Sequence, residues 1–172
     1  MRPGGGKAKG SAFERLVCKQ LSLWVSQGLE EDLFWRSAMS GGRATVGRRK
    51  GKDLRKHAGD ISATSRAGHA LTDTFFIECK FVKDLRLGQF VQELPSVIGN
   101  FWQVACDQAK DHNKAAMLIA KQNGGRIIVM MMQPDAMSYG WGRKSVLFSM
   151  RSHIAVLDYA TMLIEPFTMR VR

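Results

Sequence analysis

Residues 73–82, "DTFFIECKFV", set the tightest limit on what this chain can fold into. Phe75, Ile77, Cys79 and Phe81 fall on alternate positions, with Phe76 between the first two. That is the pattern of a buried β-strand, because successive strand side chains point to opposite faces. Glu78 and Lys80 take the other face at its centre, where apolar residues would fit easily. A carboxylate and an ammonium therefore project side by side from a hydrophobic strand. Taken alone, Glu-x-Lys is common in strands and reads better as an ion pair on the wet side of an antiparallel sheet.

The flanking segments predict the rest of the architecture. From Ser11 to about Gln27 the apolar positions Phe13, Leu16, Val17, Leu21 and Trp24 recur at helical spacing, and Gly28 lies just past the end. "DLFWRSAMS" reads as a short strand leading into Gly41-Gly42. "GDISATS" and "DTFFIECKFV" read as two strands joined across "RAGHALT", with Gly68 as a turn residue. A second helix is expected from about Pro95 to His112, where Val97, Ile98, Phe101, Trp102, Ala105 and Ala109 trace one face. "AAMLIAKQ" and "GRIIVMMM" follow as strands around the Asn123-Gly124-Gly125 turn. The order implies an α/β fold, a mixed β-sheet flanked by helices. Past Pro134, "SVLFSMR" and "HIAVLDY" read as strands and "ATMLIEP" as strand or short helix, so residues 134–172 form an extension without an assigned role.

A chain of 172 residues is most simply one domain, here 11–172, preceded by a flexible basic arm over 1–10. Lys plus Arg number 26 against 15 Asp plus Glu, a net +11, which favours a polyanionic partner. The charge concentrates in a loop over 41–59 that holds Arg43, Arg48, Arg49, Lys50, Lys52, Arg55 and Lys56 against Asp53. With almost no large apolar residue this loop builds no core, and its charge density suits phosphate contacts. The longest aliphatic stretch, around Ile127 to Met132, is far short of a membrane span. Three cysteines without a C-x-x-C pair argue for a reducing cytosol and against a disulfide scaffold or structural zinc. An RNA partner fits the charge, but no RRM-type aromatic pattern accompanies it.

Asp60, after Gly59, opens one strand, and Glu78 sits in the middle of the next. If these strands are neighbours, both carboxylates converge at the sheet's edge as hard oxygen ligands suited to Mg²⁺ or Mn²⁺, with the backbone carbonyl of Cys79 as a further donor. Lys80 beside such a cation can orient an attacking water or stabilise charge on a phosphate. Asp60 also reads as the end of a turn, and Ser11-Ala12-Phe13-Glu14 as a capping box.

The ordered set "KGSAFERLV", "FWRSAMSGG", "GDI" and "FFIECKF" resembles the PD-(D/E)XK nuclease superfamily. Within it, the chain is most similar to the archaeal-type Holliday junction resolvases and their phage relatives. The likeness runs from about residue 7 to 130 in element order and is specific from Lys9 to Arg15 and from Asp60 to Lys80. It implies a restriction-endonuclease-like fold in which Asp60 and Glu78 bind the divalent metal and Lys80 assists the nucleophilic water. It implies that Glu14 joins the metal site directly or through water, that Ser40 lies near the scissile phosphate, and that Gln103 matches a helix glutamine near the active site. Lys9 and Arg15 fall in the matched stretch as DNA contacts. Gly59 stands where the motif's name has proline, an exchange expected to be harmless. The activity implied is hydrolysis of branched DNA, above all a four-way junction, by a homodimer. The rivals are a nuclease of the same fold acting in repair, nicking or restriction, and a non-catalytic DNA-binding protein.

Overall fold

The computed structural model describes residues 5–37, 59–149 and 153–167. Helix α1 (Gly5–Val25) buries Phe13, Val17, Leu21 and Trp24 of the stripe that the spacing predicts, while Leu16 of that stripe is 42% exposed. It ends where Gln27 and Gly28 turn left-handed, at φ 56° and 89°, and the Gly28 N–H returns to the Leu23 carbonyl. Its start differs from expectation. Residues 5–10, read as part of a flexible arm, are helical, which moves Ser11 into the helix interior and rules out the capping box with Glu14. Three glycines argue against helix locally. Contacts from Lys9 to Phe81 and Asn123 hold this turn against the body instead.

Strands β1 (Phe34–Arg36) and β2 (Ile61–Ala63) form an antiparallel pair of their own, with Arg36 opposite Ile61. Residues 66–72, read as a linker, are instead part of helix α2 (Arg66–Thr74). Gly68 serves close packing there rather than a turn: a Cβ on it would lie 2.8 Å from the Leu33 carbonyl oxygen and 3.0 Å from the Phe34 ring. Leu71 on the same helix is fully buried, so tertiary contact overrides the poor local propensity.

The main sheet has five strands in the order β3 (Phe75–Val82), β4 (Ala115–Gln122), β5 (Ile127–Met132), β7 (Ile154–Asp158), β6 (Ser145–Ser149). β3 and β4 are parallel and the other pairs antiparallel, a mixed sheet as expected. The parallel pair requires a crossover, supplied by the short helix α3 (Leu87–Val91) and by α4 (Val97–Asp111). The Ser96 hydroxyl caps α4 by accepting from the Gly99 N–H at 3.1 Å. Beyond β5 come helix α5 (Gln133–Ser138), the last two strands, and α6 (Tyr159–Ile164). The segment past Pro134 thus supplies two of the five strands and a helix, not a strand, at its end.

Hydrophobic clusters cover both faces of the sheet. Phe75, Ile77 and Cys79 of β3 pack with α1 and α2, while Phe76 packs with Ile98 and Trp102 of α4. Period-two alternation therefore aims Glu78 and Lys80 toward the α4 side, and the Lys80 ammonium lies 5.8 Å from the centre of the Phe101 ring. No helix among the described residues is long and apolar enough to cross a membrane. Cys18, Cys79 and Cys106 are free thiols.

Candidate active site at the free edge of the sheet

β3 borders the main sheet, so one side of its backbone has no strand partner there. Asp60 fills part of that edge. Its N–H donates to the Ile77 carbonyl at 2.8 Å, and its Oδ2 accepts from the Cys79 N–H at 2.9 Å. Its own carbonyl accepts from the Ser37 N–H at 2.8 Å, which ties β1 to the same point. The two segments carrying Asp60 and Glu78 are thus adjacent, although β2 pairs in a ladder with β1 and not with β3. Since the N–H and C=O of one strand residue point the same way, the Cys79 carbonyl faces this edge as well.

Gly59 makes the approach possible. It sits at φ +85°, and a Cβ on it would lie 2.5 Å from the Ile77 carbonyl oxygen. Proline, fixed near −65°, cannot take that conformation. Glycine here is therefore a requirement of the local backbone, not the harmless exchange that the motif suggested.

Asp60 and Glu78 are both buried, at 7% and 8% exposure. Burial first, and then the charge of Glu78, push the Asp60 carboxyl up to about 7, against its hydrogen bond from Cys79 and the charge of Lys80. The Lys80 ammonium donates to Glu78 Oε1. Burial pulls the Lys80 pKa down, but the charge of Glu78, its hydrogen bond and then Asp60 outweigh burial and leave it above its ordinary value. The Cys79 thiol is raised well above its own value by burial and then by Asp60 and Glu78, so it stays protonated.

Glu14 approaches from α1, and its field also raises Asp60. Its Oε2 accepts from Arg36 Nε, a partner on β1 that sequence reasoning missed because the pair is 22 residues apart. Among the described residues no three His, Cys, Asp or Glu side chains are gathered closely enough to enclose a metal by themselves. Two carboxylates and a backbone carbonyl do form a hard oxygen set. Each carboxylate keeps one oxygen without a hydrogen bond from a described residue. Such a set fits Mg²⁺ or Mn²⁺ with water completing the shell, and not zinc.

Lys9 is held near this edge, its ammonium 3.7 Å from the centre of the Phe81 ring and bonded to Asn123. Lys121, opposite Phe81 in the sheet, places a second ammonium 5.4 Å from the same ring. Neither ion-pairs with a described carboxylate. Lys121 was not legible as a contact, since in sequence it is one basic residue at a strand's end. Arg15 is exposed on α1. Gln103 does not join the group: it is exposed on α4 and bonds Asp107 at 3.0 Å, one helical turn on. Ser40 and the loop residues Arg43, Arg48, Arg49, Lys50, Lys52, Arg55 and Lys56 lie outside the described residues.

No curated protein and no solved structure matches this chain. A family model does, over residues 5–171, nearly the whole length and including every strand of the sheet. The chain belongs to the family it describes, "Phage putative PDDEXK endonuclease", and so to the PD-(D/E)XK nucleases of phage type.

Proposed function

We propose that this nuclease hydrolyses phosphodiesters of branched DNA, four-way junctions above all, with Asp60, Glu78 and Lys80 as its catalytic centre. One observation carries the catalytic assignment: two buried carboxylates, one bonded to the edge of β3 and one borne on that strand, lie with the Lys80 ammonium beside them. That arrangement is costly for a fold and gains its sense from a divalent cation. Asp60, Glu78 and the Cys79 carbonyl would hold Mg²⁺ or Mn²⁺, and Glu14, already engaged by Arg36, acts through water. Bound there, the cation supplies charge neutralisation at the phosphate and acidifies water. Lys80, with its pKa raised, is a proton-bearing donor at neutral pH rather than a base. Its task is to orient the nucleophilic water or to donate to a phosphoryl oxygen as charge builds there.

The branched substrate is supported by the stretches Lys9–Arg15 and Asp60–Lys80, which resemble junction resolvases. Paired cuts on opposite strands of a two-fold junction call for two centres, hence a homodimer. The test is cleavage of a synthetic four-way junction, its matched linear duplex and a flap, each with Mg²⁺ and with EDTA. The junction is expected to be cut fastest and only with Mg²⁺. Equal rates on all three would replace this reading with a nuclease of general duplex DNA.

Lys9 and Lys121 are suited to backbone phosphates, since two ammoniums share one ring and neither ion-pairs with a carboxylate among the described residues. Lys9 lies five residues from Glu14 on α1, about 7.5 Å along the axis, or roughly two nucleotides of a strand. Changing both to glutamine should reduce the salt slope of DNA binding by about two units. An unchanged slope would take them off the DNA path.

A further inference from the structure

A groove of about 870 Å³ runs between α1 and β1, and Glu14 and Arg36 line it. Glu14, whose field reaches Asp60, links the groove to the proposed catalytic centre. On its α1 wall Lys7, Arg15 and Lys19 follow one ridge at four-residue multiples, about 18 Å from end to end. Lys19 is ion-paired with Glu31 at 2.8 Å, which leaves Lys7 and Arg15 as surplus positive charge against Asp32. The opposite wall carries Trp35, 65% exposed on a strand whose flanking Phe34 is buried. An exposed indole held on a strand that borders the same groove as a basic ridge is a stacking platform for a nucleobase with its backbone on the ridge.

We propose that this groove takes an unpaired nucleotide of the DNA substrate, its base stacked on Trp35 and its backbone phosphates beside Lys7 and Arg15. The inference rests on the reading of the chain as a nuclease of branched DNA, and it supplies that reading with a specificity determinant. Bases in a continuous duplex are stacked on their neighbours and cannot reach an indole without being unstacked. At a branch or in a single strand they are available, so stacking on Trp35 favours branched over linear DNA.

Trp35 is also its own reporter. The other three tryptophans, Trp24, Trp102 and Trp141, are buried, so a quencher that binds in the groove acts on Trp35 alone. In EDTA, an oligothymidylate is expected to quench the fluorescence of the exposed indole, whereas an abasic strand of the same length binds the ridge with little quenching. Trp35→Ala should weaken binding of a four-way junction relative to linear duplex by about tenfold, the scale of one lost base–aromatic contact. Trp35→Phe should restore most of that preference, which a merely structural role would not require. Equal quenching by the abasic strand, or no quenching by either, overturns the proposal. So does an unchanged junction preference in Trp35→Ala. A wild-type protein that cuts junction and duplex alike would instead remove the branched-DNA reading, while quenching by the single strand would still report on the groove.

Discussion

Asp60→Asn is expected to lower DNA cleavage by about three orders of magnitude while leaving DNA affinity within a few-fold of the parent, the scale seen when a group acting on the transition state is removed. The substitution is nearly isosteric, and the asparagine oxygen can still accept from the Cys79 N–H that now bonds Oδ2 at 2.9 Å. The backbone links from residue 60 to Ile77 and Ser37 do not involve the side chain at all. What disappears is one negative charge at the point where a divalent cation would bind. Single-turnover cleavage of a junction with Mg²⁺ measures the first quantity, and binding in EDTA the second. Wild-type turnover in this variant would remove Asp60 from the centre. Glu78→Gln is a less clean probe, because Glu78 also holds the Lys80 ammonium and both would change together.

The sequence disclosed the site's membership more readily than its construction. Alternation over residues 75–82 made β3 legible, and the charged pair at its middle marked the chemistry. The convergence of Asp60 with Glu78 was expected through pairing of neighbouring strands. The structure reaches proximity by another route, since Asp60 bonds to the edge of β3 through its N–H and side chain while β2 pairs with β1. No periodicity encodes such a contact. Glycines misled in both directions. Gly68 looked like a turn but allows a helix to lie against β1, and Gly59 looked like a neutral replacement but holds a left-handed backbone against Ile77. The glycines before Ser11 suggested an unstructured arm, whereas long-range contacts of Lys9 make that turn helical. Arg36, Trp35 and Lys121 escaped notice for a shared reason. Each depends on what stands opposite it in space, and local pattern carries no record of that.

The metal-free protein is expected to lose stability as the pH rises from about 4 to about 7, and to regain it when Mg²⁺ or Mn²⁺ is added. The Asp60 carboxyl lies near 3.8 in an unfolded chain and is pushed up to about 7 in the fold by burial and then by Glu78. Between those values the folded state holds a proton that the unfolded state has released, so stability falls with increasing pH across that window. Below about 4 both states are protonated and the penalty is absent; above about 7 both are ionised and it is complete. Its upper limit is about 4 kcal/mol at 1.36 kcal/mol per unit, and relaxation around the pair reduces it. Lys80 has its pKa raised from 10.5, so the stability it adds is lost only at strongly alkaline pH and does not enter this window. A cation that binds only the folded state offsets the penalty by mass action, and its effect should grow above pH 7, where the carboxylate needs no deprotonation. Denaturant titrations in EDTA at several pH values, beside the same series for Asp60→Asn, isolate the contribution. The variant should show a flatter profile from pH 4 to 7 and a smaller rise in Tm with Mg²⁺. Parallel profiles with equal Mg²⁺ shifts would mean that residue 60 neither carries the buried charge nor meets the metal.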